Sequence, residues 1–183
     1  GTSLVATMKR MQEQLRERTL AERTVATENL RIKSALDSSL ASVMVADMQG
    51  NIVYLNRAQI EMFKRGEHEL RKIFPGFDAN NLLGKSIDIF HKNPAHQRQM
   101  LANLTQPLQL KLPLGNMSYV ITATPVTSAS GERIGVAAGW VDRTAEVATE
   151  AEIAGIVKAA NEGDFNKRIT LEGKEGFFKQ LAE

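Results

Sequence analysis

The chain has 183 residues, 43% hydrophobic and 24% charged, which suits one average-sized domain with extensions. Its 23 basic and 21 acidic residues are mixed without a long like-charged block, so no electrostatic footprint for nucleic acid is present. There is no cysteine, which excludes disulfides, thiolate zinc sites and any cofactor attached through a thiol. No apolar run approaches the roughly 20 residues that span a bilayer, and no signal segment opens the chain. Because it begins and ends in helical patterns, it reads as a piece of a longer cytoplasmic chain, with any membrane anchor elsewhere in the parent.

The first element is a helix built for pairing. From Leu4, the residues Met8, Met11, Leu15, Arg18, Glu22, Val25, Asn29, Ile32 and Leu36 recur at alternating steps of four and three, the spacing of a heptad seam. Such a seam needs a partner helix, and a parallel homodimer is expected. Asn29 sits at an a position, where a buried amide fixes register, while Arg18 and Glu22 weaken the middle. Residues 1–34 are assigned to this signalling helix and its linker.

The middle of the chain, 35–144, reads as one α+β domain. Val43–Met48 is apolar and β-prone, and Gln49-Gly50-Asn51 turns it into Ile52–Asn56, predicting a hairpin. Helical spacing runs from Arg57 to Lys64, a loop is expected around Phe74–Asp78, and a short turn follows at Leu82-Leu83-Gly84. A helix is predicted over Pro94–Leu104, with the proline in its first turn. Three strands complete the domain: Leu108–Leu114 alternates strictly, Ser118–Val126 is rich in β-branched residues, and Arg133–Val141 is small and apolar. This order predicts five antiparallel strands with short helices on one face.

The last part, 145–183, continues as a helical pattern through Val147, Ile153, Ile156, Val157 and Ala160, and Gly163 suits a left-handed cap. An extended connector from Arg168 to Phe178 then leads toward another helix starting at Phe177, Phe178 and Leu181.

Several stretches carry a family resemblance: Met44-Val45-Ala46-Asp47, Tyr54-Leu55-Asn56-Arg57, Phe77-Asp78-Ala79, the run Ile87–Arg98 and Trp140-Val141-Asp142-Arg143-Thr144. From Ala35 to Thr144 the chain resembles the PAS domains of methyl-accepting chemotaxis proteins, and most closely the haem-binding PAS domain of soluble-type aerotaxis receptors. The flanks resemble HAMP relay segments. The resemblance implies that His91 is the axial ligand of a haem b iron, with His96 as the backup ligand. It also implies that the Trp140 indole N–H stabilises a gas on the distal side, and that Ile121 stands at the family's apolar distal position. Asp142 and Thr144 match the Asp-x-Thr signature at the handover to the output helix. Alternation places Ile134, Val136, Ala138 and Trp140 on one face, and Met117, Tyr119, Ile121 and Ala123 on one face of the neighbouring strand. His68, between Glu67 and Glu69, reads as a solvated surface residue.

The expected function is a homodimeric sensor of oxygen or another diatomic gas, passing its state to chemotaxis signalling proteins through the parent receptor. Two rivals stand beside it: a PAS relay with a small organic ligand or none, and a redox sensor with noncovalent flavin such as FAD. No enzymatic activity is expected, since neither a glycine-rich phosphate loop nor a nucleophile-base set is present.

Overall fold

The computed structural model describes residues 3–170 and Gln180. The predicted connector beyond Thr170 and the helix start at Phe177, Phe178 and Leu181 lie outside the described residues. Two compact units divide at Ser39 and Leu40.

The first unit is the single helix α1 (Leu4–Ser38). At 1.5 Å rise per residue it is about 50 Å long. Ser3 caps it, its Oγ accepting from the Val5 N–H at 3.2 Å. No residue of α1 is buried, so the whole predicted seam lies open within this unit. The two charged seam residues satisfy each other along the helix, Arg18 Nε donating to Glu22 Oε1 at 2.8 Å.

The second unit contains β1 (Ser42–Asp47), β2 (Ile52–Leu55), α2 (Arg57–Ile73), a short 3-10 helix at Ile87–Phe90, α3 (Pro94–Ala102), β3 (Leu108–Leu114), β4 (Met117–Thr127), β5 (Arg133–Asp142) and α4 (Thr144–Asn161). The strands form one antiparallel sheet in the order β2-β1-β5-β4-β3. The last strand in sequence is therefore the central one. Each proline in a strand falls where a missing N–H is tolerated: Pro113 lies on the edge strand β3, and Pro125 lies past the last β3 rung, Leu108 opposite Ala123.

The α+β expectation and the strand positions match the structure, but α2 continues to Ile73, nine residues past the predicted Lys64. The reason lies in Gly66, which lowers helix propensity yet is demanded by packing. A Cβ there would stand 2.6 Å from the Tyr119 hydroxyl and 2.9 Å from Met117 Cε. The glycine lets α2 lie close against β4. The helix buries Gln59, Met62, Phe63, Gly66 and Leu70 as one face. These meet inward residues of the sheet, Met44, Ala46, Ile52, Leu114, Tyr119 and Trp140, to form the core. At the far end of the unit α4 closes with a Schellman motif: Asp164 N–H donates to Ala159 O at 2.8 Å, Gly163 N–H to Ala160 O at 3.0 Å, and Gly163 has φ 88°.

Gln59 is fully buried, and neither end of its amide has a hydrogen-bond partner. An unpaired buried amide costs free energy that an apolar side chain of similar length does not. Gln59→Met is expected to stabilise the domain by about 1–2 kcal/mol, read as a higher urea midpoint with unchanged slope. A lower midpoint would show that the amide is satisfied by internal water.

Candidate ligand-binding site

Between the inner face of the sheet and the 3-10 helix and α3 lies a cavity of about 170 Å³. Met44 and Ala46 line it from β1, Leu110 and Leu112 from β3, Ile121 and Ala123 from β4, and Val136, Ala138 and Trp140 from β5. Its other wall is Ile87, Phe90, His91, Gln97, Met100 and Leu101. Of the faces predicted by alternation, Ile121, Ala123, Val136, Ala138 and Trp140 meet here, whereas Ile134 is 51% exposed and outside the lining.

His91 follows the 3-10 helix directly. Ser86 starts that helix, its Oγ accepting from the Asp88 N–H at 3.1 Å, and the His91 N–H closes it on Asp88 O at 3.0 Å. The imidazole Nδ1 is 2.9 Å from Ile87 O. A carbonyl only accepts, so Nδ1 carries the proton and Nε2 keeps its lone pair. Burial pushes the histidine below its usual range, against the smaller opposing effects of the Ile87 carbonyl and Asp88. The result is a neutral imidazole with one fixed tautomer on an apolar cavity, the form in which histidine ligates a metal.

Trp140 completes the site from the sheet. Its ring packs edge-on against Phe63 at 5.1 Å and Tyr119 at 5.8 Å, and tilts against Phe90 at 6.2 Å. The indole Nε1 is buried without a hydrogen-bond partner. An orphaned donor in a cavity wall is a cost to folding that a bound acceptor removes. Ile121 is the direct cross-strand partner of Trp140. His96 is exposed on α3 and does not line the cavity, so the two histidines are not brought together. His68 is exposed, as expected.

Among the described residues no group of three or more His, Cys, Asp or Glu forms a metal site. One histidine would be enough to hold a haem iron, because the macrocycle brings its own nitrogen donors. The chemistry of these residues suits a haem, with a neutral histidine, an apolar lining and a spare buried donor, while the cavity's volume of about 170 Å³ is smaller than such a macrocycle and its wall would have to move to admit one.

Asp142 and Thr144 sit where β5 becomes α4. Asp142 Oδ1 accepts from the Thr144 N–H at 2.9 Å and from its hydroxyl at 2.5 Å. The same hydroxyl oxygen accepts from Ser118 N–H on β4 at 3.1 Å, and the Arg143 N–H donates to Ser118 O at 2.7 Å. The start of α4 is thus bolted to the residue beside Tyr119. Three side chains have roles that the sequence did not assign, although Asn56 and Arg98 lie in the stretches that carry the resemblance. Arg98 and Arg133 tie α3 to its surroundings, and Asn56 caps α2 while holding the start of β1. The Asn56 Oδ1 accepts from Val43 and Gln59 N–H, each at 3.0 Å, and its Nδ2 donates to Ala41 O at 2.7 Å. Asparagine directly before a helical pattern is a recognisable cap signal; the arginines gave none.

The PAS domain family matches residues 30–94. Over 167 residues the chain is 49% identical to the methyl-accepting chemotaxis protein McpB of Pseudomonas aeruginosa, an alignment covering 91% of this chain. It spans only 25% of that relative's length. It is also similar to a solved structure of the Aer2 receptor from Vibrio cholerae, described as a dual PAS-heme oxygen sensor. That likeness has 42% identity and a TM-score of 0.53, covering 56% of this chain and 93% of the other. The chain belongs to the PAS domain family, a family of sensor domains and not of enzymes, and matches part of a chemotaxis receptor.

Tyr119, between Trp140 and the α4 anchor, is 1% exposed, and its hydroxyl donates to the Met117 thioether at 3.3 Å. Burial and, after it, the Asp142 charge push the phenol up to about 12. The folded state thus favours the neutral phenol. Its contribution to stability is fully present below pH 10, where unfolded tyrosine titrates, and is lost as pH rises toward 12. Wild type is expected to lose about 2–3 kcal/mol more stability than Tyr119→Phe between pH 9 and pH 12, measured by urea unfolding. Parallel losses in both proteins would mean that Tyr119 ionises normally.

Proposed function

We propose that this PAS domain is the gas-sensing module of a chemotaxis transducer, holding a b-type haem through His91 and reporting oxygen or another diatomic gas. One observation carries the reading: a single apolar cavity is lined both by His91, with Nδ1 tied to Ile87 O, and by Trp140, whose buried Nε1 has no partner. Bound haem would supply a ferrous iron able to take up a diatomic gas. His91 Nε2 would hold the group, and the ligand role rests on His91 alone because His96 is exposed. Trp140, as a donor-only indole, would hydrogen-bond the gas, and Ile121 would keep water from that side.

The signal leaves along β5. Trp140 lies two residues before Asp142, so a displacement of its strand reaches the Asp142–Thr144–Ser118 anchor and the first turn of α4. Gas binding shifts the equilibrium between two arrangements of this junction only by as much as its affinity differs between them. The solvent-exposed heptad seam of α1 supports a parallel homodimer in which Asn29 sets the register, with HAMP-like segments on both sides of the domain relaying the change on the cytoplasmic side.

Purified protein supplied with haem is expected to show a Soret band that shifts with dithionite and carbon monoxide, and His91→Ala is expected to lose it. Equal haem content in both would overturn the ligand assignment. Trp140→Leu should keep haem but release oxygen about ten- to a hundredfold faster, the effect of losing one strong hydrogen bond of about 1.5–3 kcal/mol. An unchanged rate would reduce Trp140 to core packing.

The pairing role of α1 is separable from the cavity. Removing the residues before Ser34 should lower the sedimenting mass toward a monomer while leaving haem occupancy unchanged. A truncated form with the same mass as the full chain would place the dimer contact elsewhere.

A further inference from the structure

The cavity wall made by α3 is attached differently from the rest of the domain. None of its residues is buried, and Leu101 is its one member packed against the hydrophobic cluster. It stands between two voids. The ligand cavity touches Gln97, Met100 and Leu101, and a second cavity of about 200 Å³ touches Arg98, Leu101 and Ala102. A helix bordered by space on two sides gains little from apolar burial.

Polar tethers hold it instead. Near its middle, Arg98 forms a two-pronged ion pair with Asp88, Nε to Oδ1 at 3.0 Å and Nη2 to Oδ2, and Nη2 also reaches Ser86 Oγ at 3.5 Å. Asp88 belongs to the 3-10 helix that presents His91, and the Arg98 hydrogen bond holds its carboxyl below the usual range. At the other end, Arg133 of β5 donates Nη2 to Leu101 O at 2.8 Å and Nη1 to Leu104 O at 2.6 Å, while its Nε holds Gly135 O at 2.8 Å. The guanidinium places positive charge and a rigid fork on one carbonyl in the last turn of α3 and one just past it, where the helix is partially negative. Breaking these bonds exposes guanidinium and carbonyl groups that water readily solvates, so opening costs far less than unpacking a core helix.

We propose that α3 is a movable wall of the cavity, latched by Arg98 and Arg133, and that its opening is the route by which an apolar ligand enters and leaves. The inference rests on the reading of this cavity as the ligand site, and not on haem as its occupant. Because Arg98 grips the segment that carries His91, the opening movement also loosens the support of that histidine.

Amide hydrogen exchange on the ligand-free protein tests the latch. In Arg133→Lys, which keeps the charge but loses the fork, and in Arg98→Gln, the α3 amides should exchange about ten- to a hundredfold faster while β4 and β5 stay within about twofold of wild type. Unchanged α3 exchange would overturn the proposal, as would uniform acceleration of every element, which reports general destabilisation. If Arg133→Lys does not fold, Arg98→Gln, altered on an exposed face, decides alone. For the port, stopped-flow uptake of the uncharged dye Nile red should show association and dissociation accelerated together, with Kd within about threefold of wild type. A Kd change carried by dissociation alone would make these arginines ligand contacts and overturn the port. Since exchange is read without ligand, a chain that takes up no haem sinks the cofactor reading and not this one.

Discussion

Trp140 is held twice, by its backbone in the central strand and by its ring in an aromatic cluster, and the site depends on that double attachment. In the sheet it lies opposite Ser42 on one side and Ile121 on the other. Its ring meets Phe63 of α2, Phe90 beside His91 and Tyr119 of β4. Aromatic contacts of this kind have preferred geometries and little slack. A shift at the indole is therefore felt by the helix that covers the sheet, by the segment carrying the histidine, and by the strand that anchors α4.

Around this point the domain gives up packing. Protein interiors are close to crystal density, yet here Ala46, Ala123 and Ala138 line a void, and the Trp140 donor is left unpaired. Small side chains on three neighbouring strands make a flat floor. Large ones on the opposing wall, Phe90, Met100 and Leu101, set its depth. A sequence optimised only for stability would fill this space, and departures from local consistency of this sort mark functional sites.

The chain enters and leaves the sheet close together. Ser42, four residues past the end of α1, pairs with Trp140, and Asp142 two residues later begins the handover to α4. Asn56 fixes the incoming strand through Ala41 and Val43, and Thr144 fixes the outgoing helix through Ser118. Both are single side chains bridging an element end to backbone, Asn56 tying the start of β1 to α2 and Thr144 tying the start of α4 to β4.

Much of this was legible in order along the chain. Alternation in Leu108–Leu114, the Gln49-Gly50-Asn51 turn and the β-branched run after Ser118 mark strands and hairpins because side-chain period and turn chemistry are local properties. Heptad spacing in α1 and the glycine after α4 are local in the same sense. The His91 run and the Trp140-to-Thr144 signature identified the candidate site by resemblance, and the fold brought His91, Trp140 and Ile121 to one cavity while leaving His96 outside. What only the tertiary structure decided are the long-range choices. Placing β5 between β1 and β4 sets which residues face Trp140, and no periodicity encodes strand order. The continuation of α2 through Gly66 depends on the approach of Tyr119, which overrides helix propensity. The roles of Arg98 and Arg133 depend on acceptors 10 and about 30 residues away, Asp88 and the carbonyls of Leu101 and Leu104. An arginine reads the same in sequence whether it is solvated or latching a helix, because its partner is chosen by how the chain folds back in space.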